Sequence, residues 1–158
     1  AVGEVLRRHN IRLGMEFLGP LYFRTRSPHP FIWTLRETIE LGVECGPNIG
    51  AVLDAWHWHH SGGTVSDIEA TDPSRILHIH VSDALAMAAE EVRDNMRKLP
   101  GEGIIDLTGF FQALKRVGYS GGVTPEPLGR FPDGSVAEET AKQALDTAVA
   151  AMRTAKVI

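Results

Sequence analysis

The 158-residue chain is 43% hydrophobic and 23% charged, the balance of an ordinary folded domain, which excludes a disordered tail or a fibrous repeat. A formal net charge of -4 and a pI near 6.0 offer no concentrated positive charge to a nucleic acid or an anionic membrane. No apolar run reaches the roughly 18 residues of a membrane span and the start lacks the layout of a signal peptide, so the expected compartment is the cytoplasm.

Val2 to His9 reads as the end of a helix, and a chain that opens at Ala1 in this way is expected to be a piece of something longer. From Ile11 to Leu18 the residues alternate, with Leu13, Met15 and Phe17 on one side and Arg12, Gly14 and Glu16 on the other; this predicts a strand ended by Gly19-Pro20. After a polar loop from Arg24 to Pro30, Ile32, Leu35, Ile39 and Val43 recur at helical spacing until Gly46-Pro47 stops the pattern. The single cysteine, Cys45, has no partner for an internal disulfide and is expected to be a small buried thiol on this helix.

Ile49 to Ala55 is an apolar run that reads as a buried strand, and it gives way abruptly to Trp56, His57, Trp58, His59 and His60. A weak helical stretch around Val65 to Ala70 is broken by Asp72-Pro73-Ser74. Ile76 to Asp83 alternates again, Leu77, Ile79 and Val81 opposing His78, His80 and Ser82. A long polar segment runs from Ala86 to the turn Pro100-Gly101-Glu102-Gly103. Leu107, Phe110, Phe111, Leu114 and Val117 then mark a helix closed by Gly118. A short strand, Gly122 to Glu126, ends at Pro127. The last helix, Val136 to Lys156, is expected to bury Val136, Ala141, Ala144, Leu145, Ala148 and Met152.

Strands alternating with helices predict a parallel sheet with right-handed crossovers, an α/β chain of the (β/α) TIM-barrel type. Four such units over residues 1–158 make one half-barrel domain, read as the C-terminal half of an eight-stranded barrel of about 250 residues. The expectation is either a fragment of a larger barrel or a homodimer that completes one, because an open four-stranded sheet leaves two edges and an inner face uncovered.

Each strand ends in a potential ligand: Glu16, Asp54, His80 and Glu126. In parallel α/β folds the carboxyl ends of the strands form the site, so the four groups are expected to converge, and Glu16, Asp54 and His80 each lie opposite the apolar, helix-facing parity of their strands. Asp54 follows an apolar run, where a bare carboxylate is prohibitively costly unless paired, hydrogen-bonded or bound to a cation, and His57 shares its pocket. Three carboxylates and one imidazole suit one divalent ion, Mn²⁺, Mg²⁺ or Co²⁺ ahead of Zn²⁺. His78 is expected to be a core histidine donating to a neighbour, and His59 and His60 to face solvent or a loop. Trp56 and Trp58 are equally open to a packing role and to forming a wall of the substrate pocket.

Asp54-Ala55-Trp56-His57, His78-Ile79-His80-Val81-Ser82-Asp83-Ala84, Arg97 to Asp106 around Pro100-Gly101-Glu102-Gly103, and Gly118 to Pro127, in that order, resemble the sugar phosphate isomerase/epimerase family of xylose-isomerase-like barrels, C-terminal half. That group includes inosose isomerases, dehydratases and ketose 3-epimerases. The resemblance implies that Glu16, Asp54, His80 and Glu126 bind the metal and that His57 and Arg97 contact substrate oxygens. Arg97 follows His80 at a longer interval than in the epimerases. Phe17 stands where many members have Asn after the first acid.

The implied function is a metal-dependent isomerase or epimerase of a small carbohydrate or cyclitol, with Glu16 and Glu126 moving a carbon-bound proton through a metal-stabilised enediolate. A dehydratase would share that intermediate. An endonuclease IV-like nuclease uses further histidines after the one matching His80, and the sequence has none. A third alternative is a half barrel that keeps the metal site without catalysis.

Overall fold

The computed structural model describes residues 1–29 and 31–158; of the expected loop beginning at Arg24, Pro30 lies outside the described residues. The elements run α1 (Val2–Arg8), β1 (Leu13–Glu16), α2 (Leu21–Arg24), α3 (Leu35–Cys45), β2 (Ile49–Asp54), α4 (Ala55–His60), α5 (Val65–Glu69), β3 (Ile76–Val81), α6 (Leu107–Arg116), β4 (Val123–Pro125) and α7 (Ala137–Thr154), with a 3₁₀ turn at Pro73–Arg75. Every strand pairing is parallel and the order is β1-β2-β3-β4, so β1 and β4 are the edges. None of the described helices is long and apolar enough to cross a membrane.

One face of the sheet is covered by helices. Leu53, Ile79 and Val81 from the strands join Phe110, Phe111 and Leu114 from α6 and Ala148 from α7 in one buried cluster, the main apolar burial that stabilises the fold. The other face carries the polar residues of the alternating pattern, including Glu16, His78, His80 and Thr124. Here the pairing matters more than the alternation. Ala51 pairs with Ile76 but Val52 pairs with His78, so the register slips by one residue and Leu77 is the extra one. Directly paired residues share a face, and a one-residue slip exchanges faces. The irregularity is therefore what sets Asp54 beside His80 rather than beside Ile79.

Several expected core positions are corrected. On α3 the buried residues are Leu35, Thr38 and Gly42, whereas Val43 is 55% exposed. A Cβ at Gly42 would stand 3.2 Å from the Ile49 carbonyl, so the helix docks on β2 through its smallest residue and the packed face follows that contact. Cys45, the last residue of α3, is exposed and not the buried thiol expected. On α7 the same logic applies: Ala144 and Ala148 are buried, while Val136, Ala141 and Leu145 are exposed, because the alanine face permits the closest approach to the sheet. Leu13 is exposed too, since β1 is an edge. Phe17, just past β1, is buried at 2% exposure.

Candidate metal centre

The four strand-end groups do converge. One potential ligand atom from each of Glu16, Asp54, His80 and Glu126 lies within 4.8 Å of the others. Their heights on the sheet differ: Glu16 is opposite Val52, Asp54 is opposite His80, and Glu126 lies two residues beyond Thr124, the partner of His80. The spread is diagonal, and two contacts reach across an intervening strand. His80 Nδ1 approaches Glu16 Oε1 at 3.0 Å over β2, and Glu126 Oε2 at 3.5 Å. Arg97 Nη1 donates to Asp54 Oδ2 at 2.6 Å and to Glu126 Oε2 at 2.9 Å, joining β2 to β4 over β3.

Asp54 is buried completely and has two structural duties besides. As the last residue of β2 it is the N-cap of α4, its Oδ1 accepting the Trp56 N–H at 2.8 Å. Burial pushes its carboxyl pKa up and the Arg97 guanidinium pulls against that. Hydrogen bonds that the His80 imidazole donates to Glu126 and then to Glu16 push its pKa up to about 10, against burial. His80 in turn lowers the Glu126 carboxyl.

His57 is buried behind this cluster, and burial lowers its pKa, so the ring is neutral. The Gly19 amide donates to Nδ1 at 3.3 Å, which places the ring proton on Nε2. Nε2 then faces Arg97 Nη2 at 3.3 Å, two donors directed at one another. Trp56 lies under the Arg97 guanidinium, ring centroid to Cζ 4.6 Å, whereas Trp58 packs on Phe110 and donates to the Thr64 carbonyl. Both indoles are buried, so the packing alternative describes them, Trp56 with a cation on its face. His78 finds its neighbour, Thr124 Oγ1 at 2.7 Å, but on the open face of the sheet and not in the core.

His59 and His60 are half-buried, not solvent residues. His60 meets Trp56 edge-on with ring centroids 4.5 Å apart, and burial pushes its pKa down to about 4. An unfolded imidazole titrates near 6.5, so the unfolded chain binds the extra proton between about pH 6.5 and 4. The stability due to neutral His60 is thus complete above that window and lost as pH falls through it. The urea midpoint is expected to drop less between about pH 7 and pH 5 in His60→Gln than in the wild type; equal drops would clear His60 of this role.

Two residues that periodicity did not single out complete the site. Asp94 Oδ1 accepts Arg97 Nη2 at 2.7 Å and Nε at 3.2 Å, an i,i+3 pair visible in the sequence once Arg97 is singled out. Asp83, 1% exposed, accepts four backbone N–H groups: Ala84 at 2.8 Å, Gly101 at 3.0 Å, Gly103 at 2.9 Å and Ile105 at 2.9 Å. The Pro100-Gly101-Glu102-Gly103 turn is wrapped around this carboxylate. A Cβ at Gly103 would collide with the Ala84 carbonyl and stand 2.5 Å from Asp83 Oδ1, and Gly101 has φ +89°. Paired backbone bonds between Asp83 and Lys98 fix the residue next to Arg97.

A parallel β/α sheet with an acid-and-histidine cluster at the carboxyl ends of its strands defines a barrel-type α/β protein with a cation-attracting centre. Comparison with known proteins makes that specific: the chain belongs to the xylose isomerase-like TIM barrel family, whose pattern it matches over residues 1–155. It is 32% identical over 149 residues to an inosose isomerase of Halalkalibacterium halodurans, covering 94% of this chain and 50% of that protein. It is 29% identical over 147 residues to a 3-dehydroshikimate dehydratase of Pseudomonas putida, 92% of this chain and 22% of the other. Among solved structures, the IOLI protein with a bound zinc atom superposes with a TM-score of 0.82 at 26% identity, covering 97% of this chain and 53% of its own. A xylose isomerase domain protein from Alicyclobacillus acidocaldarius gives 0.84 at 30%, covering 98% and 55%. The chain spans about half the length of the inosose isomerases it matches.

The residues present fit a divalent ion. Three carboxylates and an imidazole converge within 4.8 Å, a mixed oxygen and nitrogen donor set, and the Arg97 guanidinium lying on Asp54 and Glu126 is a cation drawn to the same oxygens.

Proposed function

We propose that the chain is the C-terminal (β/α)₄ half of a metal-dependent isomerase or epimerase barrel acting on a small carbohydrate or cyclitol, with residues 1–158 as one half-barrel domain. The observation that carries this is the convergence of Glu16, Asp54, His80 and Glu126 at the strand ends. The names of the relatives favour a cyclitol such as an inosose. The ion, Mn²⁺, Mg²⁺, Co²⁺ or Zn²⁺, supplies Lewis acidity that polarises a substrate carbonyl and offsets charge developing on its oxygen.

The chain's own groups do the rest. Glu16, reaching over β2, and Glu126, just past the neighbouring β4, approach His80 from opposite sides, and each side chain is about one-third exposed, so one takes and the other returns the proton on carbon. His57 Nε2–H and Arg97 Nη2–H, two donors meeting at 3.3 Å, are the contacts for substrate oxygens. The remaining barrel wall comes from the rest of a longer chain or from a second copy. The free edge of β1 supports this: a cavity of about 330 Å³ there is lined by Met15, Leu18, Phe23, Phe31 and Ile32 together with Glu16 and Arg24, and Phe31 is 74% exposed.

A second reading, a dehydratase, is favoured by the likeness to 3-dehydroshikimate dehydratases. One experiment addresses both. With an inosose in deuterated water and Mn²⁺, the isomerase reading expects deuterium at the carbon next to the carbonyl, stopped by a chelator. Loss of water from the product would favour the dehydratase. Exchange that survives complete removal of metal would sink the metal-dependent reading.

A further inference from the structure

Arg97 is 3% exposed, and its donors are largely spent within the centre itself. Nη1 serves Asp54 Oδ2 at 2.6 Å, Glu126 Oε2 at 2.9 Å and the Glu126 carbonyl at 3.3 Å, while Nε and Nη2 hold Asp94 Oδ1. A side chain whose only task was to greet substrate would keep its fork towards the pocket. This one spends Nη1 on two of the four candidate metal ligands, drawn from strands that are not neighbours. Its flat face lies on Trp56, and the backbone next to it is tied to Asp83, so the guanidinium is fixed from both sides. Carboxylates gathered within 4.8 Å repel one another unless a cation stands among them.

We infer that Arg97 is a built-in counter-cation and positioning residue of the metal centre, holding Asp54 and Glu126 in ligating positions before any ion binds. The inference rests on the metal-centre reading above and adds to it. On this inference Arg97 keeps Asp54 and Glu126 together independently of the ion. A lysine is a poor replacement, because a single ammonium on a flexible stem cannot span the same oxygens as a planar fork. With the charge removed altogether, the gathered carboxylates lose the guanidinium that stood between Asp54 and Glu126, and a divalent ion becomes the main source of that stability.

The test is thermal melting of the full chain, wild type and Arg97→Gln, in chelator and in Mn²⁺, with Mn²⁺ binding to the wild type measured separately by calorimetry. In chelator, Arg97→Gln is expected to melt on the order of 10 °C lower, the scale of a broken buried ion pair. Its rise on adding Mn²⁺ is expected to be at least about twofold larger than that of the wild type, since binding now relieves repulsion that Arg97 formerly offset. Arg97→Lys should fall between the two. An Arg97→Gln melt in chelator within about 2 °C of wild type would overturn the inference. So would a lower melt with no enlarged response to Mn²⁺, which is what a purely structural arginine gives. If Arg97→Gln is recovered only unfolded, refolding decides: a folded chain by circular dichroism in Mn²⁺ but not in chelator supports the inference, and no folding in either overturns it. A wild type that takes up no Mn²⁺ would remove the metal-centre reading itself, whereas uptake with an unchanged variant response removes only the role of Arg97.

Discussion

Glu126→Gln is expected to slow exchange of the substrate's carbon-bound proton by about 10²- to 10⁴-fold, the usual contribution of a placed carboxylate. Glu126 follows β4 directly, and its backbone N–H donates to the Val81 carbonyl at 2.9 Å, so the position of the residue does not depend on its charge. The amide is nearly isosteric and can still accept from Arg97, but it holds no negative charge and takes no proton from carbon. Because Glu126 is also a candidate ligand, the comparison belongs at saturating Mn²⁺, with deuterium incorporation into an inosose followed by NMR. A variant that exchanges at the wild-type rate would remove Glu126 from the proton-transfer step. Glu16→Gln, examined alongside, separates the group that takes the proton from the one that returns it, since the two need not fall equally.

The second large effect lies away from the proposed chemistry. Asp83→Ala is expected to destabilise the fold by about 4 kcal/mol, lowering the melting temperature by roughly 10 °C. The carboxylate accepts the N–H groups of Ala84, Gly101, Gly103 and Ile105, and removing it leaves four donors in a place where only water that enters the gap can answer them. Asp83→Asn should recover about half of the loss at best, because its amide nitrogen would face N–H groups where an oxygen stood. Urea unfolding measures both; an alanine variant within about 1 kcal/mol of wild type would mean that the turn does not depend on this carboxylate.

The alternating runs Ile11 to Leu18 and Ile76 to Asp83 were legible as strands, formed at Leu13–Glu16 and Ile76–Val81, because side-chain direction follows from local backbone geometry, residue by residue. The same rule put Glu16, Asp54, His80 and Glu126 at strand ends and the first three on one parity, and their convergence followed from the parallel topology. The buried faces of α3 and α7 were less legible. Apolar spacing pointed to Val43 and Leu145, whereas close approach selected Gly42, Ala144 and Ala148, since a small residue lets two elements meet where a large one holds them apart. Cys45 was misjudged for the same reason: its position on the pattern was right, but the face that packs lay elsewhere.

The amino-acid sequence by itself determined the alternation of the four strands with the longer helices, though not the short helices α2 and α4, and with it the parallel β/α class, the ligand types at the strand ends and the family. Tertiary structure alone decided three things. It set the one-residue slip at Ala51/Val52 that brings Asp54 alongside His80. It gathered the Asp83 carboxylate into a nest of amides from a turn 18 to 22 residues away. And it carried Arg97 to Asp54 across 43 residues of chain. Pairing register, close packing and long-range ion pairs are properties of two segments meeting, and the local pattern of either segment does not contain them.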